Sequence, residues 1–346
     1  MRFWKVEALQ ANPRGWSRRI FQILAYIGHL YFSPAKKGTP LRIAFIFNPQ
    51  ADRGNAAQTV ALLRQSVNIP DAEWISTQEP RHAGKLAAEL ARGGVERIVS
   101  VGGDGTLHEI TNGLMTLPAT ERPLLGIIPV GSGNDFCFSA GIPRNLVEAT
   151  RIVARSVKTK NLDVGWLNVN GRTEHFTNTM GFGFDAAVTR FTHNSALRGK
   201  MMYTVAVLRT IMTEFVAPLC HITIENGATA QTMSRNLLMV TIGNGKREGG
   251  GFLTTPAASV DDGKLDYLIF EQVSRAMMLR LIPEFMNGTQ GKFEQARMGQ
   301  FTRMTLRLDQ PLPIHTDGEL VVTRADGVTE AEIGVSAGAV RLLVGE

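Results

Sequence analysis

Residues 41–47 read LRIAFIF, an almost unbroken apolar run rich in branched and aromatic side chains. Such a run predicts a strand buried on both faces. A polar loop at 48–55 follows, and apolar positions then recur at helical spacing over 57–67. The alternation repeats: strand 73–77 and helix 82–92, strand 97–101 and helix 107–115, strand 124–129 and helix 145–154. Strands alternating with helices predict a doubly wound parallel sheet, an α/β domain. Ligands of such sheets bind beyond the carboxyl ends of the strands. The loops at 48–55, 102–106 and 129–135 all leave strand carboxyl ends, so they are expected to converge on one crevice.

Past about residue 160 the pattern shortens. Strands are predicted at 161–169, 175–180, 219–224, 236–242, 264–270, 304–308, 320–323 and 340–344. Turn signals separate them at Asn170-Gly171, Asn226-Gly227, Asp262-Gly263, Asp317-Gly318 and Asp326-Gly327. Helical spacing is present only at 195–214 and 274–286. This half therefore reads as a mostly antiparallel β-sandwich. The expected organisation is an N-terminal extension at 1–40, an α/β domain at 41–160 and a β-sandwich domain at 161–346.

The chemistry concentrates in the loops. Residues 101–113, VGGDGTLHEITNG, form a glycine-rich turn between a strand and a helix. Gly102, Gly103 and Gly105 let the backbone come close to a bulky anion, and the amides of such a turn make a phosphate site with the helix N-terminus. Asp104 is out of place among phosphates unless it faces a metal ion, a hydroxyl or a ribose; a plain turn using Gly and Asp for geometry is the alternative. Residues 129–136, PVGSGNDF, offer amides, Ser132 and Asn134 to a phosphate or ribose, or else a loop in which Asp135 caps a helix. Clustered carboxylates and carbonyls at 243–266 suit a hard cation such as Mg²⁺, against a simple hairpin turn at Asp262-Gly263. In His315-Thr316-Asp317-Gly318-Glu319 either carboxylate is a candidate general base. Residues 181–186, GFGFDA, match a dinucleotide fingerprint but lack a surrounding βαβ unit, so a Rossmann site is rejected. Zinc spacings, a hydrolase elbow and a P-loop are missing from the sequence.

Composition alters this picture little. The 346 residues, 44% hydrophobic and 20% charged, suit a soluble globular chain of one large or two ordinary domains. Net charge of +6 favours anionic partners, nucleotide phosphates or an acidic membrane surface. No lysine or arginine block points to nucleic acid. Cys137 and Cys220 stand far apart and read as buried thiols in a reducing compartment. Before the first strand, Arg14, Arg18 and Arg19 precede an apolar, aromatic-bearing segment at 20–32. It falls short of the roughly 20 apolar residues of a membrane span. A basic amphipathic helix lying on a membrane, a helix packed on the body, a poorly ordered extension, and a weak secretory signal are the readings it allows.

Together these motifs resemble the diacylglycerol kinase catalytic-domain family, in its bacterial lipid-kinase branch with sphingosine kinase-like relatives. The resemblance runs from about Leu41 to the C-terminus. It rests on Asn48-Pro49, Thr77 before His82-Ala83, GGDGT at 102–106, PxGSGNDF at 129–136, GFGFD at 181–185, the stretch from Pro256 to Asp266, and Asp317-Gly318-Glu319. GGDGT alone is shared with NAD kinases and phosphofructokinases; its combination with PxGSGNDF and a late DGE is specific. The resemblance implies an active site between an α/β nucleotide domain and a β-sandwich, and ATP-dependent phosphorylation of a lipid hydroxyl, diacylglycerol to phosphatidic acid first among the candidates. Asn48, Pro49, Gln50, Ala51, Asp52 and Thr77 would line the ATP site. Gly103, Asp104, Gly105, Thr106, Leu107, His108 and Glu109 would cradle the phosphates, with Ser132 adding a contact where the family usually has Thr. Asp104 would work with Mg²⁺ and the phosphates. Glu319 is the first choice of base and Asp317 the next. A structural Mg²⁺ would use Ser259, Asp262 and Lys264, partly through carbonyls, and a second Mg²⁺ would arrive with ATP. The implied setting is cytoplasmic and peripheral to the membrane, with a lipid substrate at its surface and no nucleic acid; a homodimer is an open assembly state. An NAD kinase-like enzyme and a non-catalytic nucleotide- or lipid-binding regulator are the rival readings.

Overall fold

The four apolar runs of the first half become four parallel strands, β1 (Ile43–Phe47), β2 (Glu73–Ser76), β3 (Arg97–Gly102) and β4 (Leu124–Pro129), in the order β2-β1-β3-β4. The computed structural model describes residues 41–66, 72–192, 197 and 199–345; the amphipathic segment at 20–32 and the predicted helix start at 195 lie outside them. Successive residues of a strand face opposite sides, and β1 explains why such a strand must be apolar throughout. Its Ile43 and Phe45 join Val60, Leu63, Leu146 and Val153 in one core, while Ala44 and Ile46 join Ala83, Ala87, Leu107, Ile110 and Leu114 in another. The first core lies under α1 (Ala56–Ser66) and, after the short α4 (Asp135–Ala140), α5 (Leu146–Arg155). The second lies under α2 (His82–Arg92) and α3 (Asp104–Met115). Helices thus cover both faces, and each fully buried side chain such as Phe45 contributes about 1.5–3 kcal/mol.

The second half is a sandwich. One layer contains β5 (Thr159–Val169), β6 (Arg172–Phe176), β8 (Leu219–Asn226), β12 (Arg303–Leu308) and β15 (Glu330–Leu343). The other contains β7 (Thr179–Gly183), β10 (Leu265–Glu271), β11 (Ala296–Phe301), β13 (Ile314–Thr316) and β14 (Glu319–Val322). The long β9 (Thr229–Gly243) belongs to both: its first part pairs with β8, its last part with β7 and β10. Phe176, Phe182, Ile222, Val240, Phe301 and Ile333 fill the space between the layers. Three helices, α6 (Phe184–Arg190), α7 (Gly199–Thr213) and α8 (Arg275–Asn287), pack outside the β9–β10 layer through Phe184, Ala206, Leu268, Met278 and Leu281. The last strand returns to the first sheet, where Leu342 pairs in parallel with Leu125 of β4.

Three departures from the sequence reading have physical causes. The strand expected at 175–180 is two strands, because the amides of Thr177, Asn178 and Thr179 turn to the Asp317 carboxylate instead of a ladder. A further helix, α6, interrupts the β half, made possible by Gly183 at φ 74°. The short strands β11 and β13, with Arg, Gly and His among their residues, carry too little apolar alternation to stand out.

Candidate active site

The loops after β1, β3 and β4 converge as expected. At their closest, Gly131 lies against Gly103: a Cβ on Gly131 would stand 2.4 Å from the Gly103 Cα. The open cleft around them, about 3120 Å³ including its solvent-filled mouth, is lined by Asn48, Pro49, Gln50, Ala51, Thr77, Gly103, Asp104, Gly105, Thr106, His108, Glu109 and Ser132. From the other half of the chain, Asp317, Gly318 and Glu319 face the same cleft, and Glu319 Oε1 lies 3.4 Å from where a Gly105 Cβ would be. Leu107 differs from its expected role, since its side chain is buried in the core beneath α3. Asp52 contributes backbone to a short 3-10 turn at Ala51–Gly54.

Several of these side chains hold the site's frame. Asp104 begins α3, and its two carboxylate oxygens accept from the Asp135 and Phe136 amides at 3.1 and 3.2 Å, capping α4. Burial and then the neighbouring Asp135 push its pKa up to about 6, against the pull of those amides. Glu109 accepts from the Ala83 amide at 3.1 Å and so caps α2. Asp135 pairs with Arg247 at 2.9 Å and accepts from the Gly250 amide.

Asp317 is the most heavily used carboxylate. Oδ1 accepts from the amides of Asn178 and Thr179; Oδ2 accepts from the Thr177 amide, the Thr177 hydroxyl and His108 Nδ1. With a side chain only 1% exposed and five donors on its oxygens, Asp317 is an anchor for the β6–β7 corner. His108 continues the chain, its Nε2 lying 3.0 Å from Glu174 of β6. Burial opposes charge on this ring, but its bonds to Asp317 and Glu174 prevail and raise its pKa to about 10. An imidazolium from α3 therefore clasps two carboxylates from the sandwich. Sequence reasoning placed His108 with the phosphates; its partners are distant in the chain and carry no local signal.

A second, mainly apolar cavity of about 850 Å³, mouth included, opens beside the cleft. Phe184 and Val188 of α6, Tyr203 and Val207 of α7, and Met278, Ile282 and Phe285 of α8 line it. Asp104, Asp135, Tyr203, Asp317 and Gly318 line both spaces, so the two meet at the DGE turn. Sequence reading missed this cavity's walls, which come from helices that only tertiary packing brings together.

The residues expected to hold a structural Mg²⁺ line neither space, and the Ser259 hydroxyl donates to Asp261 instead of joining Asp262. Asp262 accepts from the Lys264 amide and from Gln300, which also reaches Asp266. Burial, with Asp262 adding to it, raises the Asp266 pKa to about 6. The hard oxygen donors of this stretch are the Asp262 and Asp266 carboxylates, which here accept from the Lys264 amide and Gln300 Nε2.

A glycine-rich α/β crevice facing an acidic turn of a β-sandwich is the arrangement of a two-domain kinase of the GGDGT type. Residues 42–167 match the diacylglycerol kinase catalytic domain, and residues 178–344 match the YegS C-terminal NAD kinase beta sandwich-like domain. The chain belongs to the YegS-like lipid kinase family within the diacylglycerol kinase catalytic-domain group. It is 33% identical over 242 residues to "Probable lipid kinase YegS-like" of Chromohalobacter salexigens, covering 68% of this chain and 73% of that protein. A protein of the same description from Yersinia pestis is 31% identical over 219 residues, covering 62% and 70%. Among solved structures, "A putative diacylglycerol kinase" from Bacillus anthracis str. Sterne aligns with a TM-score of 0.68 and 26% identity, covering 89% of this chain and 99% of that one.

Proposed function

We propose that this chain transfers the γ-phosphate of ATP to the hydroxyl of a membrane lipid, with diacylglycerol the first acceptor to test. The observation that carries this reading is the meeting of two spaces at one turn. The polar cleft suits a nucleotide, the apolar cavity suits acyl chains, and Asp104, Asp317 and Gly318 border both. A polar dinucleotide acceptor such as NAD would gain nothing from the Phe184, Val188, Ile282 and Phe285 wall, which favours the lipid over the NAD kinase reading.

In the proposed step the acceptor oxygen attacks the γ-phosphorus. The new P–O bond forms as the bond to the β–γ bridging oxygen breaks and ADP leaves. The hydroxyl proton passes to Glu319, because Asp317 already accepts five hydrogen bonds while Glu319 stands exposed at the cleft. The amides of the 102–106 loop and Ser132 hold the phosphates, and Asp104 fixes their register through α4. Mg²⁺ accompanying ATP would neutralise phosphate charge. Ser259, Asp262 and Lys264 would hold the structural Mg²⁺.

The outer faces of α7 and α8 support action at a membrane surface. Met201, Val205, Leu208 and Met212 recur at helical spacing on α7 and are exposed, as are Leu279 and Met286 on α8. The inner faces of the same helices wall the apolar cavity, so a lipid leaving a bilayer at this face would be next to its binding space. Among the described residues no helix is long and apolar enough to cross a membrane. The test is incubation of the full chain with γ-labelled ATP, Mg²⁺ and either a lipid-alcohol panel or NAD. Label in the lipid phase is expected; label on NAD alone, or none, rejects the proposal.

A further inference from the structure

At the polar end of the apolar cavity stand three side chains that phosphoryl transfer does not use: Asp185, Glu248 and His315. One ligand atom of each lies within 4.8 Å of the others. The GFGFDA stretch builds the group. A Cβ on Gly181 would meet Asp185 Oδ2 at 2.2 Å and His315 Nε2 at 2.7 Å, so only glycine lets both settle against β7. His315 is 2% exposed, yet its Nε2 has no hydrogen-bond partner. The nearest oxygens, Asp185 Oδ2 at 3.5 Å and Glu248 Oε2 at 3.8 Å, are beyond the usual N–H···O length. Buried polar atoms are normally satisfied, and an unpartnered Nε2 beside two carboxylates in the cavity wall points to a bound polar group.

The tautomer selects what that group is. The Gly318 amide donates to His315 Nδ1 at 3.3 Å, which assigns the ring proton to Nε2. A metal ion would need Nε2 bare and the proton moved to Nδ1, against the Gly318 N–H. A hydroxyl suits the site as it stands: its oxygen accepts from Nε2–H and its proton goes to a carboxylate. Asp185 and Glu248 are held for this by Thr241 and Thr179, whose hydroxyls donate to them at 2.6 and 2.9 Å.

We propose that Asp185, Glu248 and His315 form a head-group subsite that reads a second hydroxyl on the acceptor lipid, beside the one that is phosphorylated. This rests on the lipid kinase reading above, and it moves the preferred acceptor from diacylglycerol, which has one free hydroxyl, to lipids whose head carries an additional hydrogen-bond donor. Burial, and then Asp185, push the Glu248 pKa up to about 8, so near neutral pH it holds its proton.

The test compares 1-monoacylglycerol with the 1,3-propanediol monoester of the same acyl chain, which lacks only the second hydroxyl, presented to the full protein in mixed micelles. Both kcat/KM with ATP and Mg²⁺ and binding without ATP are measured. The free second hydroxyl is expected to raise kcat/KM and affinity by about 10-fold or more. In His315→Leu the ratio should fall to near one, and in His315→Gln, which keeps an N–H at this end, it should persist. Phosphorylation of both lipids at ratios near one, unmoved by His315→Leu, overturns the subsite and leaves the kinase reading intact. A binding ratio that holds with no transfer to any lipid rejects the kinase reading and supports the subsite. Dependence of the binding ratio on added Mn²⁺ or Zn²⁺ would assign the cluster to a cation and overturn the proposal.

Discussion

At the scale of single residues, the two carboxylates of the DGE turn have different work. Asp317 holds three consecutive amides, a hydroxyl and an imidazole, and an amide in its place would set N–H against N–H. Asp317→Asn is therefore expected to destabilise the fold by about 3–5 kcal/mol, read as a lower denaturant midpoint at unchanged slope. The residues alone marked this turn as chemically active without separating the two, and only the family resemblance ranked Glu319 ahead of Asp317 as base. Asp317 and His108 are 209 positions apart, and no spacing rule connects them. Asp104 is a similar case: its oddness among glycines was legible, but its capping of α4 at 31 positions' remove was not.

Among elements, periodicity carried well wherever a face is buried against one partner. Helix α2 and strand β4 occupy the residues their patterns predict, 82–92 and 124–129. It failed where tertiary contacts override pattern, at the β6–β7 corner and at α6. Helix α7 is apolar on nearly all sides, which within a single chain reads simply as a buried helix. Its exposed row, Met201, Val205, Leu208 and Met212, has a consequence for binding. Replacing Val205 and Met212 by Ser is expected to weaken co-sedimentation with phospholipid vesicles by at least 10-fold, since each buried side chain is worth about 1.5–3 kcal/mol. Melting temperature should change little. Unchanged vesicle binding would remove α7 from the proposed membrane-facing surface.

Over the whole molecule, the doubly wound sheet and the sandwich were both legible, whereas the joint between them was not. It consists of β15 returning to β4 and of His108 clasped by Asp317 and Glu174. The clasp sets a pH limit. The folded pKa of about 10 lies above the ordinary 6.5, so the native state binds the extra proton. The stability it contributes is fully present below pH 6.5, declines above it and is gone once pH passes about 10. Denaturant titrations across this window should show that decline in the wild type and a flatter profile in His108→Gln. The site itself depends on the joint, because it brings Glu319, the proposed base, from one half to the cleft where the other half is proposed to hold the phosphates. The most direct test of that arrangement is the single-turnover rate of phosphoryl transfer to lipid in Glu319→Gln beside the wild type, with melting temperature measured on both. Loss of the general base should lower the rate by about 10²–10⁴ with the melting temperature nearly unchanged; a rate within a few-fold of wild type would contradict it.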